Sequence, residues 1–366
     1  RFVRNRSEQF EGRLSLVESI WTPKFVVPPH YHKLHGETFY IISGKVEWTI
    51  GGKTQVVGPG DAVHIPSNTV HSVRVLETMH SLMFYQPGGY EDQVALEAFY
   101  TPEQKKDPKI REHVNRMTDF YPVTGKVPVL PAPVAGQANK GVPIFSFRGK
   151  RGSFKEPNVD NVEFVLTGDD TEGRLSVIES GWLPGFTAPL HFHRKHTETF
   201  YVFSGKVEWT VNGETRVLGA GDAVHIPANV PHSVKVLEKI HTLWISDPGG
   251  LEEGQQNRAS YTAEELKDPR VQERLMRTGD SHIPAAKKYR ESGVSGPVGS
   301  LAPRRSADAC GRLPSSQLAG RYSSLWAKHR PAVYRTLARC LRKLSTSRNC
   351  GARCGRWTWS CTASCS

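Results

Sequence analysis

Residues 37–49, ETFYIISGKVEWT, recur almost unchanged at residues 198–210 as ETFYVFSGKVEWT. GDAVHIPSNTVHSV at 60–73 returns as GDAVHIPANVPHSV at 221–234, with the same offset of 161 residues. About 60% of the positions in residues 11–92 are identical to their counterparts, and no gap is needed. Because solenoid repeats are shorter, about 20–50 residues, this period indicates two copies of a whole domain.

Each copy consists of short apolar or alternating segments separated by glycine, proline and asparagine. TFYIIS, KVEWTI and AVHIP are such segments, and Gly51-Gly52 and Asn212-Gly213 are typical of hairpin turns. Strands at this close spacing predict an all-β sandwich or barrel in each copy. Residues 100–117 and 261–277 differ, because a Thr N-cap followed by an acidic residue predicts one short helix after each barrel.

The repeat also sets the expected domain boundaries. We predict a first domain at 1–121, a linker rich in Pro, Val and Gly at 122–143, a second domain at 144–290 and a tail at 291–366. The strand-like residues 162–168 align with the start of the chain, so we interpret the first copy as N-terminally truncated.

The charge and the cysteines of this chain of 366 residues are concentrated in its tail. Residues 291–366 contain 13 Lys and Arg against two acidic residues, whereas residues 1–290 contain 35 basic and 34 acidic ones. All six cysteines lie between Cys310 and Cys365, so the body has no cysteine nucleophile, disulfide or thiolate ligand. The net charge of +12 therefore does not predict a nucleic-acid partner for the body. The sequence contains no run of about 18 apolar residues, so it predicts no membrane-spanning helix.

The tail itself allows two interpretations. Residues 330–344 have the pattern of a basic amphipathic helix, and two Cys pairs with three intervening residues are looser than usual zinc spacings. We favour a disordered extension or translated non-coding sequence, and expect a chain ending at Arg290 to fold. The sequence does not determine the cellular compartment, and we favour the cytoplasm over secretion.

Histidines and a glutamate recur in both copies with metal-ligand spacing. Side chains two residues apart on a strand point to one face, which places each His-x-His pair together. The sets are His30, His32, Glu37 and His71, and His191, His193, Glu198 and His232. A polar strand face would explain one His-x-His pair, but it does not explain two complete sets. Three imidazoles and a carboxylate suit Fe, Mn, Ni, Cu or Zn better than Ca or Mg.

These residues resemble the two motifs of the cupin superfamily, G-x5-H-x-H-x3,4-E-x6-G and G-x5-P-x-G-x2-H. The second copy matches the first motif in full, whereas the first copy has Lys24 in place of its leading glycine. Asn68 and Asn229 replace a glycine of the second motif, a mild change because Asn tolerates positive φ. The resemblance covers about residues 1–285 and implies two tandem jelly-roll barrels.

Within the superfamily, the Phe-Tyr after each glutamate and the later Pro-Gly-Gly look most like quercetin 2,3-dioxygenase and its relatives. This implies up to two transition metal ions per chain (Fe, Cu, Mn or Ni), O2 and a small-molecule substrate, and it is compatible with a homodimer. We expect Glu37 and Glu198 to be both ligand and general base. The expected pocket wall is Phe39, Ile41, Val46, Trp48 and Ile50, with Phe200, Phe203, Val207 and Trp209 in the second copy.

Two other function classes stay open. A cupin isomerase, cyclase or lyase uses its metal to polarise a carbonyl without O2, and a storage or ligand-binding bicupin catalyses nothing. Three further histidine pairs also recur: His35/His196, His64/His225 and His80/His241. They are either residues that orient the metal ligands or structural histidines.

Overall fold

The computed structural model describes residues 2–5, 11–123, 125, 141–156 and 158–284. The predicted tail and most of the predicted linker lie outside these residues. No helix within the described ranges is both long enough and apolar enough to cross a membrane.

The first barrel is a nine-stranded antiparallel sheet. Its strands are β1 (Phe2–Asn5), β2 (Ser15–Trp21), β3 (Val26–Tyr31), β4 (Gly36–Ile50), β5 (Lys53–Val57), β6 (Ala62–Ile65), β7 (His71–Gln86), β8 (Tyr121–Pro122) and β9 (Ile144–Ser146). The long strand β7 pairs with β2, β3 and β4, which holds the metal-ligand residues of three strands side by side.

The second barrel repeats this topology. Its strands are β10 (Ser153–Glu156), β11 (Val159–Leu166), β12 (Ser176–Trp182), β13 (Thr187–His193), β14 (Thr197–Val211), β15 (Glu214–Leu218), β16 (Ala223–Ile226), β17 (His232–Asp247) and β18 (Ser281–His282). Here β17 has the central place and pairs with β12, β13 and β14. The prediction of two tandem barrels is confirmed.

One strand crosses the predicted domain boundary. Residues from 144 onward were assigned to the second domain, yet β9 pairs with β6 of the first barrel, His64 lying opposite Ile144. Arg148 then donates its backbone N–H to Asp61 of the first barrel and a guanidinium N–H to Glu179 of the second. The segment that follows β9 therefore contacts both barrels. The boundary at residue 144 is therefore wrong for this strand, which aligns with no residue of the first copy.

The segment after each barrel is also more divided than predicted. Two helices follow the first barrel, α1 (Tyr90–Phe99) and α2 (Pro108–Met117), and two follow the second, α3 (Glu252–Ala259) and α4 (Pro269–Thr278). A 3-10 turn precedes each last helix. The N-caps are Asp107 and Asp268, and each is followed by proline at the first helical position. Proline is favoured there because the first turn does not need its missing N–H and its fixed φ suits a helix.

The interior of each barrel is filled by alternate residues of its long strands. Phe39, Ile41, Val46, Trp48 and Ile50 of β4 are all at most 1% exposed. A third apolar cluster, which includes Leu16 and Leu82 from the first barrel and Val177 and Leu243 from the second, lies between the two barrels.

Phe203, predicted as pocket wall, belongs to this interbarrel cluster, where its ring stacks 5.6 Å from that of Tyr40. Phe200 and Val202 both lie in the core of the second barrel, so strand alternation points Phe203 to the outer face.

Candidate metal centres

The four predicted ligands of the first barrel come from three neighbouring strands. His30 lies in β3, His32 follows that strand, Glu37 is the second residue of β4, and His71 begins β7. Because β7 pairs with β3, His71 stands directly opposite His30. One ligand atom of each residue lies within 4.8 Å of the others, so the structure brings the whole set together.

The three imidazoles are all oriented by a contact between Nδ1 and a backbone carbonyl oxygen. The pairs are His30 with Pro28 (2.8 Å), His32 with Asp119 (2.8 Å) and His71 with Thr69 (2.9 Å). A carbonyl oxygen only accepts, so Nδ1 carries the ring proton in each case. The neutral rings therefore present the Nε2 lone pair to the centre of the set.

Glu37 faces these lone pairs. Its Oε2 lies 3.2 Å from Nε2 of His71, and its Oε1 lies 3.6 Å from Nε2 of His32. Both nitrogens are buried and have no hydrogen-bond partner among the described residues. Buried acceptors that face one another repel unless a cation or a proton lies between them. The set fits a transition metal ion, for which imidazole and carboxylate are suitable ligands.

The second barrel builds the same arrangement. Glu198 Oε2 lies 2.9 Å from Nε2 of His232 and 3.3 Å from Nε2 of His193, and all three atoms are buried without a hydrogen-bond partner in the described structure. The Nδ1 contacts are His191 with Pro189 (2.7 Å), His193 with Asp280 (3.2 Å) and His232 with Val230 (2.9 Å). The prediction of two metal-binding sites per chain is confirmed.

Both carboxyl groups are ionised at neutral pH. Burial by itself would raise the pKa of Glu37, but the facing imidazoles of His32 and His71 outweigh it and lower the pKa to about 2. The pKa of Glu198 lies well below its ordinary value, because His193 and His232 likewise outweigh burial. Each centre therefore offers one negative ligand.

The imidazoles are less uniform. Burial lowers the pKa of His30 to about 3 and that of His191 to about 4, which keeps both rings neutral and free to coordinate. Burial also tends to lower the pKa of His193, but the carboxylates of Glu198 and Asp280 outweigh it and raise this pKa.

Asp119 and Asp280 orient the ligands, and sequence reasoning missed both. Beyond accepting from His32, Asp119 binds the β3–β4 turn: its carboxylate accepts from the backbone N–H groups of Lys33, Leu34 and His35. It also accepts from Nδ1 of His35 at 2.7 Å. Asp280 lies 161 residues after Asp119, so the repeat offset is the signal that could have identified the pair.

The other recurring histidines do not contact the ligands. His64 and His225 bond to the hydroxyls of Thr38 and Thr199 on the neighbouring strand. Nε2 of His80 lies 2.6 Å from the Glu18 carboxylate. Only His35 and His196 act on a ligand, indirectly, through their bonds to Asp119 and Asp280.

At the glycine positions of the motifs, the backbone φ angles suit the residues that this chain has there. Asn68 and Asn229 have φ of 61° and 65°, and Lys24 has φ of 73° where Gly185 has 94°. These left-handed conformations favour glycine and are tolerated by asparagine. The departures from the motif therefore leave the turns beside the ligands intact.

Both barrels are similar to a known protein family. The family model described as "Cupin domain" matches residues 18–85 and 181–246, which contain all eight ligands. Quercetin 2,3-dioxygenase of Bacillus subtilis (strain 168) is 25% identical over 221 residues, or 57% of this chain. The chain spans 65% of the length of that curated relative.

Solved structures of similar fold include oxalate decarboxylases. The enzyme of Bacillus subtilis, studied for its Mn(II) centres, is 19% identical with a TM-score of 0.44, covering 70% of this chain and 78% of its own. The formate complex of the Lactobacillus farciminis enzyme is 18% identical with a TM-score of 0.45, covering 70% and 84%.

Proposed function

We propose that this chain, in which a cupin family model matches part of each barrel and each barrel holds a metal-binding site, is a metal-dependent dioxygenase acting on an aromatic or enolic small molecule. The observation that carries this proposal is the buried set of facing acceptors, three imidazoles and one ionised carboxylate, in each barrel. The similarity to a curated quercetin 2,3-dioxygenase supports the choice of reaction class.

The ligand residues have two tasks in this proposal. They hold a transition metal ion, which supplies Lewis acidity and a redox centre to a substrate and O2. The carboxylates of Glu37 and Glu198 also accept the proton that a substrate hydroxyl loses on binding. They are ionised at neutral pH but are weak bases, so the proton transfer would depend on the metal ion lowering the pKa of the bound substrate hydroxyl.

The interior beside each centre supports a flat, apolar substrate. In the first barrel the ring of Trp48 lies 4.8 Å from that of Phe39 and 6.3 Å from that of His71. In the second, Trp209 lies 4.6 Å from Phe200 and 6.2 Å from His232. Such aromatic walls exclude water and favour a flavonol-like ring system over a small dianion.

Oxygen uptake with a panel of flavonols and enols tests the proposal, with anaerobic incubations as the reference. Uptake that depends on substrate and metal supports a dioxygenase, whereas substrate loss that proceeds equally without O2 would favour an isomerase or lyase. No turnover of any panel member by fully metal-loaded protein would contradict the proposal.

Glutamine variants test the role of the two carboxylates. We expect Glu37→Gln with Glu198→Gln to retain much of the metal on the three imidazoles, while turnover falls about 10²–10⁴-fold. The matched control is Glu47→Gln with Glu208→Gln, which changes glutamates of the same strands outside the ligand sets. Metal loss in proportion to activity would make the carboxylates ligands only.

A further inference from the structure

The two centres have the same types of ligand residue, three histidines and one glutamate, but they differ at the residue that follows the orienting aspartate. In the first barrel this residue is Phe120, and 161 positions later it is Ser281. The Phe120 ring stacks on the His30 imidazole with centroids 4.2 Å apart and an interplanar angle of 19°. The Phe120 ring also lies edge-to-face with the His32 imidazole, with centroids 6.1 Å apart. Phe120 therefore covers one side of the first ligand set.

Among the described residues, no ring takes the place of Phe120 in the second barrel. Ser281 stands opposite His193 in the pairing of β13 with β18, and its side chain is too short to reach across His191. As a result, His191 is partly exposed, whereas His30 is only 5% exposed. The Nδ1 contacts of both rings are the same, with Pro28 and Pro189, so ring orientation does not cause this difference.

The next residue does not add to this contrast. Tyr121 pairs with Tyr31 and stacks on it at 5.3 Å, on the sheet face opposite to that of His30 and His32. Its counterpart His282 likewise packs on Phe192 at 5.4 Å, and it lies 3.0 Å from a carboxylate oxygen of Asp280. The difference in cover on this side therefore comes from Phe120 and Ser281.

A further bulky residue lies behind the first ligand set. The Tyr85 hydroxyl is 3.2 Å from Nδ1 of His32, and its ring stacks on His35 at 4.4 Å. The corresponding residue of the second barrel is Ser246, whose hydroxyl bonds to Ser176. The first centre is therefore enclosed by aromatic rings on two sides.

We propose that the two centres differ in access: the second centre admits external ligands carrying an oxyanion or hydroxyl group, and Phe120 closes the first. Within the proposed function, the second centre is then the one that receives substrate, and Ser281, opposite His193, offers a hydroxyl group at its edge. The first centre holds its ion behind the aromatic cover.

Azide binding to the Co(II)-loaded protein tests this inference without substrate or O2. Single-centre proteins assign the spectral change: His191→Ala with His193→Ala keeps the first centre, and His30→Ala with His32→Ala keeps the second. We expect azide to change the visible spectrum of the second centre only. The first centre should lose its Co(II) to a chelator about 10–100-fold more slowly, since Phe120 must move away first.

Reciprocal substitutions make the test specific to one position. Phe120→Ser in the first-centre protein should allow azide binding and accelerate metal loss, whereas Ser281→Phe in the second-centre protein should slow both. Phe99→Ser, which alters an exposed phenylalanine on α1, serves as the control and should change neither. Because Ser281→Phe adds a ring instead of removing one, it tests the inference even if Phe120→Ser lowers stability.

Two results would overturn the inference: equal azide affinity at both centres of the unsubstituted protein, or reciprocal variants that leave access unchanged. Oxygen-uptake experiments fail or succeed independently of this assay. A protein with no dioxygenase activity but unequal azide binding would refute the proposed function and keep the difference in access.

Discussion

Removal of the Asp119 carboxylate should weaken both the first barrel and its metal centre. This carboxylate accepts three backbone N–H bonds from the turn between β3 and β4, at 2.8–3.1 Å, and a fourth bond from His35. Asp119 is 5% exposed and has a left-handed backbone with φ of 56°. Its carbonyl oxygen at the same time orients His32, so one residue links the turn to a ligand.

The expected magnitude follows from these bonds. Hydrogen bonds to a charged group contribute about 1.5–3 kcal/mol each, but four that share one carboxylate are not additive. Asp119→Ala should therefore lower the free energy of unfolding by about 3–5 kcal/mol, and Asp119→Asn, which keeps one acceptor oxygen, by about half of that. Loss of residues that orient ligands typically lowers metal affinity about 10–100-fold.

The effect should also depend on pH. Burial would raise the pKa of Asp119, but His35 and the backbone N–H groups of Leu34 and Lys33 outweigh it and lower the pKa. The stabilisation is therefore complete above the ordinary carboxyl pKa of 3.8 and is lost as the pH falls through the lower value of the folded protein. Wild-type protein and Asp119→Asn should become more similar in stability under strongly acidic conditions.

Thermal unfolding of the metal-free protein and chelator competition at the first centre measure the two effects. Asp107→Ala is the control, because Asp107 caps α2 but is not bonded to the β3–β4 turn in the described structure. It should lower the melting temperature without changing metal affinity. An Asp119→Ala variant with the metal affinity of the wild type would refute the link between this aspartate and His32.

Two further predictions concern the barrels themselves. Gly44→Ala should prevent folding or cost at least about 3 kcal/mol, because its Cβ would lie 2.1 Å from the Thr78 carbonyl oxygen, whereas Gly213→Ala, with open space, should cost about 1–2 kcal/mol in a denaturant titration. The metal-free protein should lose stability as the pH falls from 6.5 toward 3. Burial lowers the pKa of His64 and of His225 to about 3, and the charges of Arg174 near His64 and of Arg13 near His225 add to this effect. Both rings therefore take up protons on unfolding in this pH range. Replacing both histidines by glutamine should make that profile shallower, with His30 and His191 accounting for part of the remaining slope, and an unchanged profile would contradict this explanation.

The repeat made the barrels and the ligand sets predictable. Side-chain alternation places His30 and His32 on one face, and a fixed offset places every ligand of one copy on its equivalent in the other. Residues 142–151 are strand-like in sequence, but local pattern could not predict the partner of β9, because its pairing with β6 depends on contacts between residues that are about 80 positions apart. The N-caps of α2 and α4 were missed because Thr101 and Thr262 were given more weight than the Asp-Pro pairs that follow them.

The parts of the site that were missed depend on long-range contacts. Asp119 acts on His32 from 87 residues away, and no spacing within a single motif indicates such a contact. Phe203 was assigned to the pocket against strand alternation, because Val202, the counterpart of Ile41 at the repeat offset, is the residue that faces the barrel interior. Phe120 and Ser281 differ between the copies, so a search for repeated residues passes over them.

The central claim is that each barrel binds one transition metal ion through three histidines and one glutamate. Elemental analysis of the purified protein and of two double variants tests it most directly. We expect about two ions per chain in the wild type and about one in either His30→Ala with His32→Ala or His191→Ala with His193→Ala. A wild-type value near one that does not change when His191 and His193 are replaced would contradict the claim for the second barrel.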